Sequence, residues 1–350
     1  MRISNTMTGL AVAASLMCAA GTATAADDVN IKVLGFWGNQ PQIDDVDRPL
    51  WENLSKETDG RISVNYVTLN EAGIKGDQAL RFLKKGAFDI MTISVSYVSG
   101  DEPSLVAVDL PGVAFDFKTL KEISDTYRPV MAERLKKFDG VLLTHWPFNP
   151  QIVFCKDKVE SLADLEGHKV RASGAPASDT LKELNATAVN MTGGEVYQAL
   201  QRGLVDCGST GTTYGFKNKW HEVTDYLYDL PLGGYSQVIQ VANADFWNGL
   251  SQEDRDLISG KMKAAETELW EMAPTIHEYG IICSTGKGDC PLSGEPGSMT
   301  FVETSKGDQA KLRKILADTV IPTWKESCNN VFPECGAKFD ATIGKILAAQ

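Results

Sequence analysis

Arg171 is the residue of this sequence best suited to hold an anion. A guanidinium presents a planar fork of N–H donors that meets both oxygens of a carboxylate, and it keeps its charge when water is excluded. Its setting is the stretch 161–208. Ser161 and Asp164 fit a capped turn closed by Gly167, and His168-Lys169-Val170-Arg171 fits a short strand. A helix over 178–184 stopped by Asn185, a strand over 189–191, and a helix over 195–202 boxed by Thr192 and Glu195 follow. Gly203 ends that helix, and 204–207 is expected to be a third buried strand. Such a strand–helix–strand–helix–strand unit places ligands at the carboxyl ends of its strands, and Arg171 stands at one. Position alone leaves the ordinary alternative open, a surface arginine paired with a neighbouring acid.

The remaining candidates are polar and aromatic residues at other strand ends. After the third strand, Thr210, Thr212 and Thr213 offer hydroxyls and Gly211 permits close backbone approach, unless the segment is a plain glycine turn. Tyr214 and Trp220 suit either a pocket wall or the core. In the N-terminal half, Trp37-Gly38-Asn39-Gln40 follows a strand over 31–36, and Ser94-Val95-Ser96-Tyr97 follows one over 88–93. Trp37, Asn39, Gln40, Ser94 and Tyr97 are therefore expected ligand contacts.

Enzymatic signatures are missing. The chain has no H-E-x-x-H, G-x-S-x-G or P-loop, and His145, His168, His221 and His277 are too widely spaced to suggest a metal cluster. Asp206, ending a strand, reads as structural rather than as a base. No catalytic residue, metal or cofactor is expected.

The elements that position these residues alternate. Helices over 48–58, 77–85 and 119–138 lie between strands over 31–36, 62–68, 88–93 and 141–145, which predicts a mainly parallel sheet covered on both faces. Pro147 and Pro150 resist helix and suit a crossover to a second α/β lobe, with a return around 235–241. The lobes are then 26–148 with 237–276, and 149–236 with 277–350. Ser251 caps a long helix that passes Trp270, with Pro274 expected to kink or end it. Amphipathic helices over 306–325 and 338–349 are expected to pack on the second lobe.

Residues 1–25 read as a secretory signal, with Arg2 as the basic end, an apolar core over 7–20, and Ala23-Thr24-Ala25 as the cleavage site. That apolar run is too short and too rich in alanine to span a membrane stably, and cleavage after Ala25 is expected to give a periplasmic chain. The mature net charge is 34 − 1 − 46, or −13. That acidity argues against nucleic acid and anionic membrane surfaces. Losing Cys18 leaves six cysteines in an oxidising compartment. Cys283 with Cys290 and Cys328 with Cys335 close short loops, which leaves Cys155 with Cys207; free buried thiols are the alternative.

Two dense motifs carry a resemblance. L-x-D-L-x-G-x-K-V-R ends at Arg171, and E-V-Y-x-A-L-Q-x-G-x-V-D runs from Glu195 to Asp206. This pattern resembles the substrate-binding proteins of TRAP transporters, tripartite periplasmic systems that import organic acids, and the resemblance runs over nearly the whole mature chain. It implies a two-lobed periplasmic binding protein fold with a long domain-spanning helix, membrane permease subunits as partners, and Arg171 as the arginine that pairs with the substrate carboxylate. Many members carry a second arginine some twenty residues upstream, where this chain has Gln151. Glutamine donates a neutral hydrogen bond but cannot compensate a second negative charge, which favours a monocarboxylate. A receptor for an ABC importer, a periplasmic enzyme and a sensor's ligand-presenting subunit are the competing readings.

Overall fold

The computed structural model describes Met1 and residues 28–350; the expected signal segment and its cleavage after Ala25 fall outside the described residues. In chain order the strands are β1 (Val29–Gly35), β2 (Ile62–Thr68), β3 (Ile90–Ser94), β4 (Gly140–Pro147), β5 (Ile152–Cys155) and β6 (Lys169–Ala172). They continue as β7 (Thr187–Asn190), β8 (Cys207–Thr210), β9 (Tyr226–Asp229), β10 (Gln237–Asn243) and β11 (Thr300–Glu303). One sheet has the order β2-β1-β3-β10-β4, the other β11-β9-β5-β8-β6-β7. The central strands β3 and β10 are buried along their whole length, as strands covered by helices on both faces must be.

Both sheets are mixed rather than purely parallel. In the first, β10 runs antiparallel to β3 and β4; in the second, β5 runs antiparallel to β8 and β9. These two strands are the ones that directly follow a passage between the sheets, at 148–151 and 230–236. A chain that leaves one sheet at a strand's carboxyl end and enters the other from the same cleft must start its new strand there. The cleft therefore collects the carboxyl ends of β1, β3, β6 and β8 and the amino ends of β5 and β10.

One expected strand is displaced. The segment 204–206 lies outside the strand; Leu204 is 61% exposed, and β8 begins at Cys207, opposite Cys155 on β5 and beside Val170 on β6. Asp206 instead accepts the Lys169 backbone N–H at 2.8 Å, a structural role.

The helix Gln252–Thr285 ties the two sheets together. Pro274 neither ends nor interrupts it; the helix runs on to a left-handed Gly286. On the first-sheet side, Trp270 Nε1 donates to the His145 carbonyl at 2.8 Å and Arg61 pairs with Asp254 at 2.6 Å. On the second-sheet side, Gly280 lies so close to the helix Thr212–Lys217 that a Cβ there would sit 2.4 Å from the Thr212 carbonyl carbon. Gly280→Val must push these helices apart, an overpacking that costs about 1–3 kcal/mol. Its unfolding midpoint is expected to fall by roughly 5 °C. Gly260→Ala in the same helix meets nothing within 4 Å and is expected to raise the midpoint slightly, since alanine is the better helix former. Thermal unfolding followed by circular dichroism reads both.

The C-terminal helices touch both sides. Trp324 Nε1 donates to the Pro103 carbonyl at 2.7 Å and Lys338 pairs with Glu133 at 2.8 Å, both on the first-sheet side. The helix Lys306–Ile315 also packs on Ala175–Glu183, beside β6. Cys155–Cys207, Cys283–Cys290 and Cys328–Cys335 are disulfide-bonded. The first joins directly opposed residues of β5 and β8. Cys155, Cys207 and His168 are the one group of metal-type donors among the described residues, but the two sulfurs are bonded to each other. No helix among the described residues is long and apolar enough to cross a membrane.

Candidate functional site

Arg171, third residue of β6, points into the cleft and is only 2% exposed. Its Nε donates to the Met191 carbonyl just beyond β7 at 3.0 Å, and Nη1 donates to the Ser209 carbonyl on β8 at 2.6 Å. Both neighbours of β6 therefore lock the guanidinium plane. Among the described residues no carboxylate lies within ion-pair distance of it. Burial pushes its pKa down from the ordinary arginine value, and the nearby Tyr97 and Tyr214 hydroxyls oppose that fall without cancelling it. A buried cation without an acid is costly to keep, and one incoming carboxylate would neutralise it.

A small cavity opens at this guanidinium. Of the residues expected there, Trp37, Ser94, Tyr97, Gln151, Thr210 and Tyr214 all line it with Arg171. Gln151 ends the first passage and joins it to the second: its N–H donates to the Gly234 carbonyl at 2.8 Å, and its side-chain Nε2 donates to the Asn149 carbonyl at 3.1 Å. Tyr214 sits where Gly193 starts the helix Gly193–Gln201; a Cβ at Gly193 would lie 2.7 Å from its hydroxyl. The Trp37 and Tyr214 rings meet edge-on across the cleft, with centroids 6.3 Å apart. With Lys75 and Glu195 paired at 3.1 Å between the two sides, the cleft is closed.

Three expected contacts point elsewhere. Asn39 takes a left-handed φ of 62° that turns its side chain to solvent. Gln40 is fully buried inside the first lobe, away from the cavity, where its amide finds no partner among the described residues. Thr212 faces the long helix, donating to the His277 carbonyl at 2.8 Å, because its own helix packs there. Trp220 is core: it is 0% exposed and edge-on to Phe154.

Other cavity residues were not singled out from the sequence. Phe36 directly follows β1, and Phe148 lies in the passage between sheets, with ring centroids 5.1 Å apart. Ser96, Ser173 and Ser236 add hydroxyls. The signal for Phe148 was present in the Pro147–Pro150 bracket, which marks the crossover and hence the cleft floor. The arrangement as a whole is one buried cation, neutral hydrogen-bonding groups and an aromatic surround. It can bind an anion; it contains no nucleophile–base pair.

Comparison with known proteins agrees with this geometry. The model of the bacterial extracellular solute-binding proteins, family 7, matches residues 37–278. The ectoine/5-hydroxyectoine-binding periplasmic protein UehA of Ruegeria pomeroyi is 30% identical over 164 residues, 47% of each chain, so this match spans about half of that relative's length. The C4-dicarboxylate-binding periplasmic protein DctP of Rhodobacter capsulatus is 25% identical over 268 residues, 76% of this chain and 77% of that one. Among solved structures, DctP7, a Bordetella pertussis extracytoplasmic solute receptor binding pyroglutamic acid, superposes with a TM-score of 0.79. That likeness covers 91% of this chain and 99% of the other at 21% identity, which speaks for the fold alone. The family match covers more than half of the chain, and the chain belongs to family 7 of the bacterial extracellular solute-binding proteins, the extracytoplasmic solute receptors of TRAP transport systems, which bind solutes and catalyse no reaction.

Proposed function

We propose that this protein captures a small monocarboxylate in the periplasm, closes its two lobes over it, and delivers it to the membrane permease of a TRAP transporter. The observation that carries this reading is Arg171, a buried guanidinium held rigid by two backbone carbonyls and lacking an acidic partner among the described residues. Its charge fixes one negative group on the ligand. The rest of the cavity is neutral, with Gln151, Ser94 and Thr210 as hydrogen-bonding groups and Trp37 and Tyr214 enclosing the body. A second carboxylate would find no cation there, and burying it unpaired would cost several kcal/mol. The passages at 148–151 and 230–236 are the hinge, dividing the lobes as 26–148 with 237–276 and 149–236 with 277–350. Secretion with cleavage after Ala25 belongs to the same reading.

The test is a thermal-shift panel of pyroglutamate, ectoine, malonate and malate on the mature protein. A ligand at a hundredfold excess over its Kd stabilises by about 2.7 kcal/mol, which is visible as a raised midpoint. The monocarboxylates are expected to shift the midpoint more than the two dicarboxylates. Gln151→Arg supplies a second cation and is expected to invert that order. A panel in which malate and malonate already lead in the unmodified protein would sink the monocarboxylate assignment.

A further inference from the structure

The inner cavity at Arg171 is not the only space in the cleft. A second cavity, more open to solvent, lies outside it, and the two share Ser96, Tyr97 and Ser173 as their common wall. Tyr97 is the bulk of that wall. Its hydroxyl is held from the inner side, where Trp37 Nε1 donates to it at 3.2 Å. Its ring is backed by Gly76, where a Cβ would lie 2.9 Å from Cδ2, and it lies 6.0 Å from the Phe36 ring. The ring is thus fixed at both ends between two spaces.

We propose that Tyr97 sets the length of the acid this cleft accepts: it confines the ligand to the inner chamber, and without its ring the two chambers form one trough suited to a polyhydroxylated acid. This rests on the reading of Arg171 as the carboxylate anchor. The chemistry of the outer chamber selects the tail. Ser99, Thr192 and Asn190 offer hydroxyl and amide groups, while Asp77 adds a negative charge that opposes a second carboxylate. A hydroxylated chain with one acid end satisfies both chambers; an apolar chain or a diacid does not.

Glycerate and gluconate test this, because they share a 2-hydroxy acid head and differ in tail length. Calorimetric titration would compare the unmodified protein with Tyr97→Ala, Tyr97→Leu and Tyr97→Phe, each also combined with Arg171→Ala. The unmodified protein and Tyr97→Phe are expected to favour glycerate by about tenfold or more, since the ring remains in place. Tyr97→Ala and Tyr97→Leu are expected to lower that ratio at least tenfold by gaining gluconate affinity, and the gain should vanish with Arg171→Ala. A ratio unchanged in both folded small variants, with binding still dependent on Arg171, overturns the partition and leaves the carboxylate reading intact. Binding insensitive to Arg171→Ala overturns the carboxylate reading and the partition with it. Failure of every protein to bind either acid overturns the partition, and the pyroglutamate shift then reports separately on the anchor.

Discussion

Replacing Arg171 with alanine is expected to weaken acid binding by about a hundredfold to a thousandfold, the largest effect of any single side chain in the cleft. Removing one member of a desolvated, hydrogen-bonded charge pair costs about 3–5 kcal/mol, and each 1.4 kcal/mol is tenfold in Kd. The magnitude follows from how the guanidinium is held. Arg171 is already oriented by the Met191 and Ser209 carbonyls, both on its own side of the cleft, before any ligand arrives. An incoming carboxylate therefore meets a donor fork with little freedom left to lose, and closure of the lobes desolvates the pair together. The unliganded protein should respond much less to the same change. Alanine removes an uncompensated buried cation, which favours the fold, but it strands two carbonyls and opens space, which opposes it. Arg171→Lys should fall between the two, since a point charge cannot serve two carbonyls and a carboxylate in one plane. Titration calorimetry on the best acid of the panel measures this, and a Kd within twofold of the unmodified protein would show that the anchor lies elsewhere.

Much of this site was legible because its key residues follow local rules. Arg171 stands near the carboxyl end of β6, and the helical elements around it carry the expected capping boxes, Ser161 with Asp164 and Thr192 with Glu195. Pro147 and Pro150 mark the first passage between sheets. Where the reading missed, non-local pairing decided. Cys207-Gly208-Ser209-Thr210 has small polar residues of low strand propensity, yet it is strand because β5 and β6 flank it on both sides. Leu204 and Val205 look more like strand, but they only link the preceding helix to it. The same holds for Gly280, whose lack of a side chain matters only because Thr212 arrives from 68 positions away in the chain. Asn39 and Gln40 were placed in the cleft by proximity to a strand end. One left-handed residue turned the first to solvent and the second into the core.

Stability is expected to fall between about pH 4 and pH 7 through one buried carboxyl at the return passage. Asp109 is 2% exposed and accepts from the Tyr235 N–H at 2.6 Å, the Gln237 N–H at 3.1 Å and the Ser96 hydroxyl at 3.1 Å. It thereby ties the segment that re-enters β10 to the loop that walls the cavity. Neighbouring Gly234 has φ of 79°, and a Cβ there would lie 2.4 Å from the Asp109 carbonyl oxygen, so the two segments have no slack. Burial pushes the Asp109 pKa up to about 7, and the three hydrogen bonds oppose that rise without cancelling it. In the unfolded chain the same group titrates near 3.9. Between those values the folded protein holds a proton that the unfolded chain has released, so raising the pH favours unfolding; above pH 7 both states are ionised and the dependence ends. Three pKa units correspond to about 4 kcal/mol. Asp109→Asn keeps one acceptor for the Tyr235 N–H and cannot ionise. The stability of the unmodified protein minus that of Asp109→Asn, from urea unfolding at each pH, is expected to drop by about 4 kcal/mol from pH 4 to pH 7 and then level off. Other titrating groups cancel in that difference, so a flat line across the range would mean that Asp109 ionises in the fold as easily as it does in water.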